Sequence, residues 1–269
     1  MKNILKITLF FVSLTLISCE EEIVLDFDQT TPRLVIEANI FVDDPLYNTI
    51  RLTTTTDFYS DVYPRIDDAQ VQIKDLKSNI DYEFVNRGNG IFSNSSFLPE
   101  NDNIYELTVV YKNEVYKATS IPIEAPEIID IQQKLNSNFG SEIYEIQFFY
   151  QDDPDVENQY LSQMSADGKV SFSTWNDQFD NGNLADDLFF FSKEDFGPND
   201  TLYYAIASID KNYFNYLSKI LSISGSSQNP FASPVGTIRG NIVNHTNQDN
   251  YALGYFHIAK RNYYSYIIK

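Results

Sequence analysis

An alternation of apolar and polar residues with a period of two is the main pattern from residue 33 onward. Leu34, Ile36 and Ala38 fall on one face of the first run, and Glu37 falls on the other. Side chains of a strand point to the same face at every second residue, so the run predicts a β-strand with one buried face. Similar runs between turn residues predict strands over 48–56, 68–75, 80–85, 91–92, 104–111 and 114–120, with a hairpin around Lys112 and Asn113.

The first half of the chain is therefore predicted to form an immunoglobulin-like β-sandwich over residues 33–121. Pro122 and Pro126 follow, and they exclude a helix from this extended segment, which we expect to join two domains. A second β-rich domain is predicted over residues 127–269. Its expected strands are 128–135, 141–151, 159–165, 201–209, 237–243, 253–260 and 263–267.

A single helix is predicted, over residues 211–222 of the second domain. Asp210 is placed to cap its first turn, and Gly225 is expected to end it. An apolar stripe at helical spacing is formed by Phe214, Leu217, Ile220 and Leu221. The predicted fold class is all-β, with two β-sandwich-like (immunoglobulin-like) domains and one short helix in the second.

The N-terminus has the pattern of an export signal. Basic residues precede the apolar run 7–16, which is too short to cross a bilayer of ~30 Å and is typical of a signal peptide. Ser18 and Cys19 then match the lipobox of bacterial lipoproteins. That resemblance implies a signal peptide over 1–18 and a lipid on Cys19, which would stably anchor the chain to the outer membrane. The alternative is an ordinary signal peptide beside a chance cysteine.

An acidic run directly follows the cysteine. Glu20, Glu21 and Glu22 resemble the surface-export signal of Bacteroidetes lipoproteins, which implies exposure at the cell surface. Residues 19–32 are predicted to form an acidic tether. The alternative is that the three glutamates are only the start of this solvated tether, on a protein at the periplasmic face of the outer membrane.

Charge and cysteine content narrow the possible partners. The chain has 38 acidic residues against 19 basic ones, and this balance repels nucleic acid and anionic lipid. Cys19 is the only cysteine, so the chain forms no internal disulfide. Stability must come from the core, for which 19 Tyr and 20 Phe supply apolar area suited to strands.

Two acidic clusters are candidate calcium sites, because Ca²⁺ prefers carboxylate and backbone oxygens. Asp152, Asp153 and Asp155 form the first, and the alternative is an acidic surface turn. Asp177 and Asp180 belong to the second, which lacks the order of an EF-hand loop. Here Asn181-Gly182 predicts a hairpin turn without any metal. No other cofactor is predicted.

Trp175, the only tryptophan, adjoins the second cluster. An exposed Trp beside carboxylates could stack on a sugar or peptide, whereas a buried one would belong to the core. For catalysis, His245 and His257 are the only histidines and neither stands in a catalytic motif. The sequence predicts no enzyme. A hydrolase using two facing carboxylates stays open as an alternative, because such spacing is set in three dimensions.

The order of short motifs along the chain resembles the Bacteroidetes outer-membrane lipoprotein family called domain of unknown function 4249. The resemblance lies in Cys19 with its acidic run and in residues 34–38, 68–73, 90–92, 105–109, 121–122, 152–154, 158–160, 177–182, 213–217, 229–231 and 240–242.

This resemblance implies no known activity. It implies a binding or accessory lipoprotein that works beside a TonB-dependent outer-membrane transporter. The alternative is a free-standing structural or adhesive surface lipoprotein.

Overall fold

The computed structural model of the protein describes residues 31–42, 48–56, 60, 62–137, 142–178, 182–226 and 236–269. From Pro32 to Lys269 the chain forms one compact unit. The predicted signal peptide, the lipidation site Cys19 and the export signal Glu20, Glu21 and Glu22 lie outside the described residues, and so does the candidate ligand Asp180. Within the described ranges, no helix is both long and apolar enough to span a bilayer.

The described chain is mostly β-strand, with one helix. The strands are β1 (Leu34–Phe41), β2 (Thr49–Thr54), β3 (Gln70–Asp75), β4 (Ile80–Asn86), β5 (Ile91–Ser93), β6 (Tyr105–Tyr111), β7 (Glu114–Ser120), β8 (Ile128–Asn136), β9 (Ile143–Gln151), β10 (Gln159–Ala166), β11 (Lys169–Asn176), β12 (Leu184–Ser192), β13 (Thr201–Ile209), β14 (Val243–Asn244), β15 (Leu253–Ala259) and β16 (Asn262–Ile267). The helix is α1 (Lys211–Ser226).

The largest sheet has the strand order β14-β7-β6-β3-β4-β5-β2-β1-β15. The two ends of this order approach one another, because the backbone N–H of Ile258 on β15 donates to the Ser120 hydroxyl on β7 at 2.9 Å. Apolar side chains from both halves of the sheet, such as Ile36 and Val109, therefore share one buried core. The result is a sandwich-like body in which alternate residues of each strand point inward.

Two smaller sheets enclose a second core. One has the order β12-β9-β8 and the other β11-β10-β13-β16. Phe148 of the first sheet stacks on Tyr204 of the second, with ring centroids 4.2 Å apart. These two sheets form a second sandwich-like layer pair.

Helix α1 lies beside β10 and β11. Its partly buried side chains Phe214 and Leu217 pack with Leu161 of β10 against a third buried cluster, which includes Ile209 of β13 and Tyr255 of β15. Asp210 caps the helix, as the sequence predicts: its Oδ1 accepts from the backbone N–H groups of Asn212 at 2.9 Å and Tyr213 at 3.0 Å.

The all-β class with one helix is confirmed, and so is the hairpin between β6 and β7. Lys112 and Asn113 both have positive φ, 49° and 62°, as a two-residue turn of this kind requires. The helix is longer than predicted, since it continues through Gly225 to Ser226. The strand predicted over 237–243 is wrong, because only Val243–Asn244 is a strand there.

Strands β11 and β12 were not predicted, and they change the topology. The turn expected at Asn181-Gly182 does not make a hairpin, because β11 pairs with β10 while β12 pairs with β9 in the other sheet. The sheets also cut across the predicted division at residues 121–127. Strands β14 and β15, which lie beyond it in sequence, pair with β7 and β1 of the first sheet.

Candidate functional site

Two loops cross between the smaller sheets and meet each other. The first, residues 152–158, leads from β9 to β10, and the second, of which residues 177–178 and 182–183 are described, leads from β11 to β12. Each loop begins with an aspartate, Asp152 or Asp177. The crossing therefore brings together the two acidic clusters that the sequence kept about twenty-five residues apart.

Asp152 holds the two loops together. Its side chain is 1% exposed. Its Oδ1 accepts from the Tyr160 hydroxyl and from Asn158 Nδ2, the latter at 3.3 Å. Its Oδ2 accepts from the backbone N–H of Gly182 in the opposite loop at 2.8 Å. Buried carboxylates need such donors, so this set accounts for the burial of Asp152.

Asp177 performs the reciprocal task from the second loop. Its Oδ2 accepts from the backbone N–H of Asn158 at 2.6 Å, and its own N–H donates to the Asn158 carbonyl at 3.2 Å. Asn158 thus lies between the two acids and bonds to both. The sequence does not mark Asn158 as a central residue, and its only signal is its place in the motif 158–160.

The other candidate metal ligands are arranged differently. Asp153 and Asp155 are exposed, and Asp153 Oδ1 accepts from the Asp155 N–H at 3.0 Å as part of a turn. Among the residues that the structure describes, no three carboxylate, His or Cys groups are placed to hold a metal ion. Asp152 is surrounded by N–H and O–H donors, whereas Ca²⁺ requires a shell of oxygen acceptors.

Trp175 lies at the same place, on β11. It is partly buried against the second core. Its indole N–H donates to the Tyr150 hydroxyl, and its ring centroid is 6.1 Å from that of Tyr160. Burial raises the pKa of both tyrosines, and for Tyr160 the hydrogen bond to Asp152 raises it further. A small cavity of about 90 Å³ is lined by Trp175, both tyrosines, Asp152 and Asp177.

Two larger cavities continue from this one along helix α1. The middle cavity, of about 410 Å³, shares Asn176 and Asp177 with the small one and is also lined by Lys211 and Asn215 of the helix. The widest, of about 700 Å³, shares Asn215 with the middle one and lies between α1 and residues 236–241. We call these three neighbouring cavities, which share lining residues, the α1 groove.

The α1 groove is polar and its charge changes along its length. The narrow end holds the buried carboxylates Asp152 and Asp177. In the middle, Lys211 Nζ pairs with Glu157 Oε1 at 2.8 Å. The wide end presents Lys219 and Arg239. A volume of several hundred Å³ is in the range of ligand sites, which are mostly apolar with a few polar groups, whereas this groove is mainly polar. These two cations were not predicted as site residues, because they lie on separate segments without a local motif.

The two histidines lie outside the groove. His245 is exposed in a loop. His257 is 1% exposed on β15, where its ring stacks on Tyr213 with centroids 4.0 Å apart. It is therefore a buried packing residue that joins β15 to α1.

A family model described as "Domain of unknown function (DUF4249)" matches residues 20–264. No curated protein matches the chain.

Among solved structures, the chain is similar to a segment of two fibronectin type-III domains from chicken tenascin, with 13% identity, a TM-score of 0.21, and coverage of 67% of this chain and 92% of that one. It is also similar to the FN1–FN3 domains of chicken CNTN1, with 11% identity, a TM-score of 0.28, and coverage of 68% and 62%. These likenesses carry no argument about function.

Proposed function

We propose that this chain, which belongs to the family described as Domain of unknown function (DUF4249), is a lipid-anchored binding lipoprotein of the outer membrane. It is exposed at the cell surface and binds a polar ligand in the α1 groove. It catalyses no reaction and acts as the accessory partner of a TonB-dependent transporter.

The groove is the single observation that carries binding. Its lining is built from loops and a helix that are fixed by the Asp152–Asn158–Asp177 hydrogen bonds and by the Asp210 cap. A preformed site loses little entropy when a ligand binds. The carboxylates Asp152 and Asp177 are occupied by hydrogen bonds that hold the loops, and this supports binding over acid–base catalysis.

The anchor and the surface location rest on the N-terminal motif. Cys19→Ala should move the full chain from the membrane fraction to the soluble fraction, whereas the control Ser13→Ala, in the apolar run, should stay membrane-bound. Replacing Glu20, Glu21 and Glu22 with Gln should leave the protein anchored but hide it from protease added to intact cells. Retention of the Cys19→Ala variant in the membrane would refute the anchor.

The transporter partner is suggested by the family resemblance. Purifying the lipidated protein from outer membranes in mild detergent, followed by mass spectrometry, should recover a large TonB-dependent transporter in stoichiometric amount. Recovery of the lipoprotein alone would remove this part of the proposal and favour a free-standing surface protein.

A further inference from the structure

The wide end of the α1 groove concentrates positive charge in an acidic protein. Its cavity of about 700 Å³ is lined by Lys219 on the helix and by Arg239 on the facing segment. The chain has twice as many acidic as basic residues, 38 against 19. Two basic side chains without a carboxylate partner beside one cavity are therefore unexpected, because carboxylates are abundant enough to pair with them.

These two cations nevertheless have no carboxylate partner among the described residues. The ion pairs found there within 4.0 Å involve other basic groups. The contrast with Lys211 is direct, since this lysine begins the same helix and is paired with Glu157 at 2.8 Å. Lys219 and Arg239 instead face the cavity, where their charge is available to a ligand.

Arg239 is also held in place. Its guanidinium lies 3.5 Å from the centroid of the Tyr251 ring, and the guanidinium of Arg33 lies 3.7 Å from the same centroid. Stacking fixes the planar fork of an arginine, so less side-chain entropy is lost when it binds an anion. The two like charges beside one ring repel each other, and a bound anion would relieve this repulsion.

The rest of the lining suits a hydroxylated molecule. Asn212, Asn215 and Thr237 supply neutral hydrogen-bonding groups, and Tyr216 and Tyr255 supply aromatic surface. The floor is closed by backbone packing, since a Cβ on Gly240 would lie 1.7 Å from the carbonyl oxygen of Gly254. The cavity therefore combines polar side chains with a floor that is fixed by backbone packing.

We infer that the wide end of the α1 groove binds the oxyanion of a small polar ligand, a carboxylate, sulfate or phosphate, between Lys219 and Arg239. This inference rests on the proposed binding function and specifies its ligand class. A guanidinium held by Tyr251 offers two parallel donors to the oxyanion, and Lys219 adds a mobile point charge. The amide groups of Asn212 and Asn215 then bind the neutral part.

The test uses four probes on one sugar frame: glucose, glucuronate, glucose 6-sulfate and glucose 6-phosphate. Each is titrated calorimetrically into the full lipidated chain in non-ionic detergent. At least one anionic probe should bind roughly tenfold more tightly than glucose, because a charge-assisted hydrogen bond contributes about that factor. The probe that binds best identifies the anion.

Arg239→Gln and Lys219→Gln should each weaken the best anionic probe about tenfold and leave glucose unaffected. Lys169→Gln is the matched control, since Lys169 is an exposed lysine away from the groove lining. An equal effect of the control would show a general charge effect and overturn the inference.

The remaining outcomes separate this inference from the proposed function. If glucose binds as tightly as the anions, the groove binds ligands without an oxyanion site, so the inference fails and the proposed function stands. If none of the probes binds, the inference fails. Recovery of the transporter with the lipidated chain then decides independently whether the accessory function survives.

Discussion

The carboxylate of Asp210 caps helix α1 with one oxygen and lies beside the buried imidazole of His257 with the other. Oδ1 accepts from the backbone N–H groups of Asn212 and Tyr213, and Oδ2 is 3.7 Å from His257 Nδ1. Burial works to raise the pKa of Asp210, but His257 and the capping bonds outweigh it and lower that pKa. One side chain therefore caps the helix that borders the groove and lies next to strand β15.

Asp210→Ala should destabilise the protein by about 1–2 kcal/mol, since it removes the N-cap as well as the neighbour of His257. Asp210→Asn retains a capping oxygen and should cost less than half as much. The free energy of unfolding from urea titrations at pH 7 measures both. Asp68→Ala, at an exposed aspartate, is the control and should have little effect. Equal losses for Asp210→Ala and Asp210→Asn would show that the cap contributes nothing.

Another carboxylate, that of Asp187 on β12, is partly buried beside the second core. Burial raises its pKa from the ordinary 3.8 to about 6, against a smaller lowering by the nearby hydroxyls of Ser162 and Tyr204. These two hydroxyls and Asp187 Oδ2 are buried without a hydrogen bond of normal geometry to any described residue. The charged form of Asp187 is therefore disfavoured in the folded protein.

The sign of the pH effect follows from this raised pKa. Between about pH 4 and 6 the folded state binds a proton at Asp187 that the unfolded state has lost, so this group's contribution to stability falls as pH rises. Asp187→Asn removes the cost and offers its amide to the two hydroxyls. We expect the variant to be more stable than the wild type by about 2–3 kcal/mol at pH 7, with the difference disappearing towards pH 4.

Urea titrations across this pH range measure the difference. Subtracting the wild-type curve removes the contribution of His257, which burial disfavours in its charged form and which has the opposite slope. Asp195→Asn, at an exposed aspartate just after the same strand, is the control and should change stability little at any pH. A pH-independent difference for Asp187→Asn would contradict the assignment.

Gly254 is required where β15 pairs with β1. Its φ is +93°, and a Cβ there would lie 1.9 Å from the carbonyl oxygen of Ile36. Gly254→Ala should therefore abolish soluble expression or lower stability by several kcal/mol. Gly88 is the control that separates backbone strain from a steric clash, since its φ is +86° but a Cβ there would meet nothing within 4 Å. Gly88→Ala should cost only about 1–2 kcal/mol. Equal losses of stability for the two variants would show that the clash with Ile36 contributes nothing beyond backbone strain.

The features that the sequence predicts correctly depend on interactions between neighbouring residues. The period of two identified β1, β3 and β6, and Asp210 marked the start of α1, because alternation and capping depend on neighbouring residues. Strand β11 was not predicted because its apolar residues Val170 and Phe172 lie on an exposed face, so its sequence lacks the pattern of a buried face. Asn181-Gly182 was misread as a hairpin because dipeptide chemistry does not specify which sheet the next strand joins.

The candidate site was only half visible from the sequence. Asp152, Asp177 and Trp175 were identified as candidates, and the structure places all three on one small cavity. Their partner Asn158 was not identified, because the crossing of the two loops places it between them. The cations were not identified either, because Lys219 lies on α1 and Arg239 on the segment after it. Such convergence depends on long-range topology, for which a single sequence holds no local signal.

Tyr160 and Asp152 provide the sharpest test of the loop network. The Tyr160 hydroxyl donates to the buried carboxylate of Asp152, which keeps two further donors, Asn158 Nδ2 and the Gly182 N–H. Tyr160→Phe should therefore destabilise the protein by about 1–2 kcal/mol, less than the loss of every donor would. The two loops should also loosen, so the backbone N–H groups of Asn158 and Asp177 should exchange with solvent faster.

Urea titration and hydrogen exchange measure these effects, and the emission of Trp175 reports the same site because it is the only tryptophan. Tyr203→Phe is the matched control, since Tyr203 is exposed on β13 and the same atom is removed. Faster exchange throughout the second core, with no preference for Asn158 and Asp177, would show that Asp152 supports the core in general. Exchange confined to these loops would establish that Asp152 fixes the narrow end of the α1 groove.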